Sequence, residues 1–193
     1  MLSADFNKLL LKFPNGEKFI GTIPNGRFYL VDYKINPRMV SISSGNIIIR
    51  NNTGTLLSIV AFDEFVTSNK KSPSGCDYLI SKSDSSDFFV LCELKDIRID
   101  YLQKTNDAAM NQLINSFDML SSFGIVGNYN YIFGIMGVKL KNSNSSIKRS
   151  YKSFMQYSYR VPQKVKTLLK NHGFTDVFTN FRVSNDIPFV FSL

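Results

Sequence analysis

Apolar and polar positions alternate with two different periods along this chain, and the change of period marks its elements. Cys76-Asp77-Tyr78-Leu79-Ile80 and Phe88-Phe89-Val90-Leu91-Cys92-Glu93-Leu94-Lys95 are apolar runs separated by a turn of Ser, Lys and Asp. Two such runs around a polar turn predict a β-hairpin. Ala108, Ala109, Leu113, Phe117 and Leu120 then recur at helical spacing, with Asn106 or Asp107 as the N-cap and Gly124 as the stop. Tyr129 to Lys139 is a further apolar strand. A strand, a helix and a second strand in that order predict a crossover, which pairs the Glu93 strand in parallel with the later one.

The flanks are also patterned. A short helix is predicted near Ala4–Lys12, followed by strands at Lys18–Ile23, Arg27–Tyr33 and Asn46–Arg50 separated by Pro-Asn-Gly and Ser-Gly turns. These strands form a meander that either extends the central sheet or packs over it. Lys139 to Lys152 reads as a polar, basic loop. Pro162 opens a helix through Lys170 that ends at Asn171-His172-Gly173, and Val177–Val183 and Phe189–Phe191 are closing strands. The fold class is therefore α/β.

Within the hairpin the chain reads Asp77, fifteen residues, Glu93, one residue, Lys95. Side chains of a strand alternate between faces, so Glu93 and Lys95 point the same way, and the first strand brings Asp77 beside them. Two carboxylates and an ammonium at one strand edge suit a divalent cation and the oxygens of a phosphodiester. They equally suit an ion pair at the sheet surface. Glu93 stands in an otherwise apolar run, where an unpaired carboxylate is costly to bury. A rival Asp-x-Lys at Asp32-Tyr33-Lys34 has no Asp in the preceding ten to twenty residues.

Cys76-Asp77-Tyr78-Leu79, Glu93-Leu94-Lys95, and Ala109 with Gln112-Leu113 together resemble the PD-(D/E)xK nuclease superfamily, specifically its small stand-alone members. The resemblance spans about a quarter of the chain. It implies a restriction-endonuclease-like core: a mixed central sheet flanked by helices, here with a β-rich N-terminal extension. It implies Mg²⁺, or Mn²⁺ in its place, held by Asp77, Glu93 and the Leu94 carbonyl. Lys95 would orient or deprotonate the attacking water, and Gln112 would face the site. A third carboxylate is expected on a helix before the hairpin, within Leu56 to Phe65: Glu64, or alternatively Asp63. The family's Pro before the Asp is Cys76 here, and its frequent Gly after the Lys is Asp96. The activity implied is metal-dependent endonucleolytic cleavage of DNA in prokaryotic restriction, anti-phage defence or repair. A homodimer and a partner protein from a defence system belong to the same expectation. The alternative is a catalytically silent module on the same fold that binds nucleic acid or protein.

Three segments follow: residues 1–52 as the β-rich extension, 53–140 as the core carrying the motif, and 141–193 as basic elements packed on the same domain. At 193 residues with 44% hydrophobic content the chain is long enough for one sizeable core. The net charge of +8 is unevenly spread: residues 1–76 carry +4, residues 77–123 carry −4 and residues 124–193 carry +8. An acidic segment between basic flanks suits a metal-dependent enzyme acting on a polyanion. Lys70 and Lys71 before the hairpin, and Lys148, Arg149 and Lys152 near Tyr151, Tyr157 and Tyr159, are the candidate phosphate contacts.

Other chemistries lack their residues. One His and two Cys cannot make a Cys/His zinc site of ordinary spacing. No Gly-x-Ser-x-Gly elbow and no Gly-x-x-x-x-Gly-Lys-Ser/Thr loop occur. His172 reads as a helix-end residue, where a positive side chain suits the helix dipole. Cys76 and Cys92 read as reduced core residues. No apolar run has membrane-span length and the first residues lack signal-peptide regions, so the expected location is the cytoplasm.

Overall fold

A computed structural model describes residues 4–13, 16–30, 46–69, 74–97, 102–140, 163–183 and 189–193. Nine strands and four helices occur among them. In chain order they are α1 (Ala4–Lys12), β1 (Ile20–Ile23), β2 (Gly26–Leu30), β3 (Ile47–Asn51), β4 (Leu57–Ala61), α2 (Phe62–Ser68), β5 (Tyr78–Lys82), β6 (Phe88–Ile97), α3 (Leu102–Ser122), β7 (Tyr131–Leu140), α4 over 163–172, β8 (Asp176–Val183) and β9 (Phe189–Ser192).

Six strands form a mixed sheet in the order β1-β4-β5-β6-β7-β8. Pairing is antiparallel from β1 to β6 and parallel from β6 through β8. The hairpin is β5–β6, with Tyr78 opposite Cys92, and α3 is the crossover to the parallel β7. A second sheet, β2-β3-β9, pairs β3 antiparallel to β2 and parallel to β9. The N-terminal meander thus does both things open to it: β1 extends the central sheet, while β2 and β3 pack as a separate layer.

Strand alternation separates the faces of the central sheet. Phe133 and Gly137 of β7 lie toward the second sheet: Phe133 meets Phe191 at 6.2 Å between ring centres, and Phe178 of β8 meets Phe191 at 4.7 Å. Gly134 and Phe89 lie on the other face, Gly134 beside Phe174 and Phe89 beside Phe6 of α1. Phe174 in turn contacts Phe117 of α3 at 5.0 Å. With both faces covered, inner strands lose their alternation and read as continuous apolar runs. All five residues of β4 are buried.

That burial corrects one expectation. Residues 57–61 form a strand, and only Phe62 onward is helical. β-branched Ile59 and Val60 pack between neighbouring strands, which outweighs the helical reading of Leu56 to Phe65. A second correction concerns α3. It starts at Leu102, so Asn106 and Asp107 lie inside the helix and cap nothing. Its buried stripe is Asn106, Ala109, Leu113, Ser116 and Leu120, while Ala108 is exposed. The stop at Gly124 holds. Gly124 has φ +67°, its N–H donates to Ser121 O (2.9 Å), and Ile125 N–H donates to Leu120 O (3.0 Å). This is a Schellman closure, which requires a left-handed residue. Gly173 ends α4 the same way, with Phe174 N–H donating to Leu169 O.

One hydrophobic core runs from Phe6 to Phe191. β1 pairs with β4, β8 with β7 and β9 with β3, so the described strands near both chain ends join this core. No helix among the described residues is long and apolar enough to cross a membrane.

The two sheets approach closely at Gly137. A Cβ there would lie 2.7 Å from Ile47 Cδ1 and 3.0 Å from Leu94 Cδ2. Gly137→Val is therefore expected to destabilise the protein by about 1–3 kcal/mol through overpacking. Gly127→Ala, whose new Cβ meets nothing within 4 Å, is the control, and urea unfolding midpoints are the measurement.

Candidate functional site

Asp77 is the last residue before β5. Continuing the Tyr78–Cys92 register one step places it opposite Glu93. Backbone and side chain then interlock: Asp77 N–H donates to Glu93 Oε2 (3.2 Å), and Leu94 N–H donates to Asp77 Oδ2 (2.6 Å). Phe62 N–H, at the start of α2, donates to the Asp77 carbonyl (2.8 Å). Each group that would shift Asp77 is bonded to a strand or helix end, so the carboxylate is held on rigid elements.

Two residues along β6, Lys95 shares the face of Glu93, and its Nζ pairs with Glu93 Oε1. The Glu93 side chain is wholly buried, whereas that of Lys95 is 22% exposed. The site is thus open at the ammonium and closed at the carboxylate. Burial pushes the Glu93 carboxyl well above the usual range, and the Asp77 charge pushes it further. Lys95 and the hydrogen bonds offset only part of that rise. The three residues singled out by spacing in the sequence are brought together here, Asp77 beside Glu93 and Glu93 paired with Lys95.

Other candidates fall differently. Gln112 of α3 donates from Nε2 to the Gly75 carbonyl (3.0 Å), two residues before Asp77, so its visible role is to hold that backbone. Leu94 contributes the N–H to Asp77, while its side chain packs on the opposite face near Gly137. Glu64 is not joined to Asp77 and Glu93: among the described residues, no three His, Cys, Asp or Glu side chains are grouped to hold a metal. Glu64 stands in the first turn of α2, half-buried, with its Oε2 atom buried. Asp96 accepts from Asn46 Nδ2 (2.6 Å) on the face opposite Glu93, tying β6 to the start of β3. His172 bonds Asp118 (2.8 Å) and its ring lies edge-on to that of Phe117, which joins α4 to α3. Cys76 and Cys92 are free, buried thiols, and burial pushes both well above the ordinary thiol range, so neither is a nucleophile. Lys70, Lys71, Lys148, Arg149, Lys152 and the rival Asp32–Lys34 lie outside the described residues.

Ser116 was not singled out in the sequence. Its buried hydroxyl accepts from Cys76 N–H (2.6 Å) and donates to Gln112 O (2.7 Å). The usable signal was spacing: Ser116 stands one turn beyond Gln112, and together they staple α3 to Gly75-Cys76. Comparisons with family models, with curated proteins and with solved structures find no match to this chain.

Ser116→Ala leaves the buried Cys76 N–H without its acceptor, and an expected loss of about 1–3 kcal/mol is readable by urea denaturation. Glu93 has a pH signature. Its folded-state pKa lies above the unfolded value, so its stabilising protonation is complete below about pH 4.5 and is lost as pH rises through the folded pKa. Glu93→Gln is expected to flatten that decline and to melt at or above wild type at pH 8, by thermal scans between pH 5 and 8.

Proposed function

We propose that this protein is a metal-dependent nuclease that hydrolyses phosphodiester bonds of DNA, acting as an endonuclease in prokaryotic restriction, anti-phage defence or repair. The observation that carries the reading is the convergence of Asp77, Glu93 and Lys95 on one end of the β5–β6 hairpin. The order of elements supports it: an antiparallel hairpin, a crossover helix and a parallel strand are what a restriction-endonuclease-like core requires.

The residues fit a hard divalent cation. Mg²⁺ is commonly held by one or two carboxylates with waters and phosphate oxygens completing the shell. Asp77 and Glu93 are two oxygen donors; burial and then the Asp77 charge raise the Glu93 pKa, and a cation between them would offset both. Asp77, Glu93 and the Leu94 carbonyl would hold the ion, Mg²⁺ or Mn²⁺. When bound, such an ion supplies an activated water and charge neutralisation on the phosphate. Lys95, partly exposed beside Glu93, would orient the attacking water and balance charge on the scissile group. Gln112 and Ser116 keep the Asp77 backbone in register. The basic flanks would run along the phosphates, and each active site would cut one strand, so a homodimer suits duplex cleavage.

A silent binding module is the second reading. It is favoured by one observation: Glu64 does not join the two carboxylates, so the acidic set is a pair.

Purified protein incubated with plasmid and linear DNA, with Mg²⁺, Mn²⁺ or EDTA, separates the two. Metal-dependent cleavage that falls by about 10²–10⁴-fold in Lys95→Ala, and at least as far in Asp77→Ala, is the expected result. Salt-sensitive DNA binding with no cleavage under any condition would leave the module.

A further inference from the structure

The buried stripe of α3 contains two polar residues, and they differ in kind. Ser116 is fully bonded, as described above. Asn106 is 2% exposed, and neither its Oδ1 nor its Nδ2 has a hydrogen-bond partner among the described residues. A buried amide with both ends unmatched is rare and costly, and in native proteins it signals an ordered water, an ion or a functional role. Nothing local accounts for it. Asn106 lies four residues inside the helix, so it caps no end, and Asn is a poor helix former.

Two anchors locate it against the sheet. Phe117 packs on Phe174, which lies beside Gly134, and Gly134 pairs with Leu91 of β6. Asn106 is eleven residues earlier in α3, about 16 Å back along the helix. α3 returns antiparallel to β6, so that distance corresponds to about five strand residues, the Lys95–Ile97 end of β6. Gln112 gives the same direction, since it bonds Gly75 beside Asp77 and Asn106 lies beyond it toward the helix start. The face of β6 that α3 covers is the face of Leu91, Glu93 and Lys95. Asn106 is thus the unmatched polar member of the α3 stripe, on the side of Gln112 toward the end of β6 that follows Lys95.

We propose that Asn106 is a positioning residue of the Asp77–Glu93–Lys95 site, holding ordered water between its amide and the Lys95 end of β6. The inference rests on the nuclease reading for its catalytic consequence. An amide offers one acceptor and two donors, the match a buried water needs to satisfy two or more partners. Such water fixes where the Lys95 ammonium and the attacking water stand relative to the phosphate. Asn106 touches no substrate itself.

Asn106→Leu is the decisive variant, because the side chains are isosteric and only hydrogen bonding is removed. The expected result is a melting temperature at or above wild type, an unchanged KM for DNA, and a kcat lowered by about 10- to 100-fold. Asn106→Ser, which supplies a hydroxyl and leaves room for a second water, is expected to retain most of the wild-type rate. Independently of activity, the Asn106 side-chain amide protons, assigned by their loss in Asn106→Leu, should show NMR cross-peaks to water of the sign of a long-lived bound molecule. An unchanged kcat in Asn106→Leu, or no such cross-peak in wild type, overturns the inference. Bound water at Asn106 in a wild-type protein that cleaves nothing upholds the hydrated amide and sinks the nuclease reading instead.

Discussion

A carboxylate sealed inside a β-sheet is the constraint around which this protein is arranged. Glu93 is wholly buried, yet its Oε2 accepts a backbone N–H from Asp77 and its Oε1 pairs with Lys95. Each of those partners comes from a different constraint. The hairpin register supplies Asp77, and strand alternation supplies Lys95. Neither partner fully compensates for burial beside a second carboxylate, so the Glu93 carboxyl stays well above its ordinary pKa. A structural ion pair has no need of that arrangement, since an apolar pair of similar volume would be at least as stable. Under the proposed function, that arrangement is what a site for a cation would need.

The rest of the molecule can be understood as keeping this pair in place. The second sheet presses Ile47 onto Gly137 and Leu94, fixing β6 from behind, and Asp96 links β6 to Asn46 on the same side. From the front, α3 is stapled to the Asp77 strand by Gln112 and Ser116. The α2 start donates to the Asp77 carbonyl. The helix carrying Glu64 thereby contributes its backbone end to the Asp77 strand.

The stability and chemistry of the site pull in opposite directions. Two repelling carboxylates and an unmatched amide at Asn106 each cost folding free energy, and both sit on the same layer interface between α3 and β6. Sites that bind charged or reacting groups commonly show such local conflict between folding and function. Apart from the bonded Ser116, the rest of the buried α3 stripe is apolar: Ala109, Leu113 and Leu120 are fully buried.

Much of this was legible in the order of residues alone. Periodicity located α1, the β5–β6 hairpin, the body of α3, β7 and the closing strands, because each segment carries its own turn chemistry and its own period. Gly124 and Gly173 marked helix ends because only a left-handed residue closes them. The Asp77, Glu93 and Lys95 grouping was also readable, since strand alternation and hairpin register are local rules. What the chain order could not reveal depended on layers. Residues 57–61 resemble a helix in isolation and become a strand because β1 and β5 pair with both of its edges. Asp107 resembles a cap, yet packing against the sheet carries the helix on to Leu102. The staple at Ser116 and the solitary amide of Asn106 are decided only by which face meets another element, and that contact exists only in the folded chain.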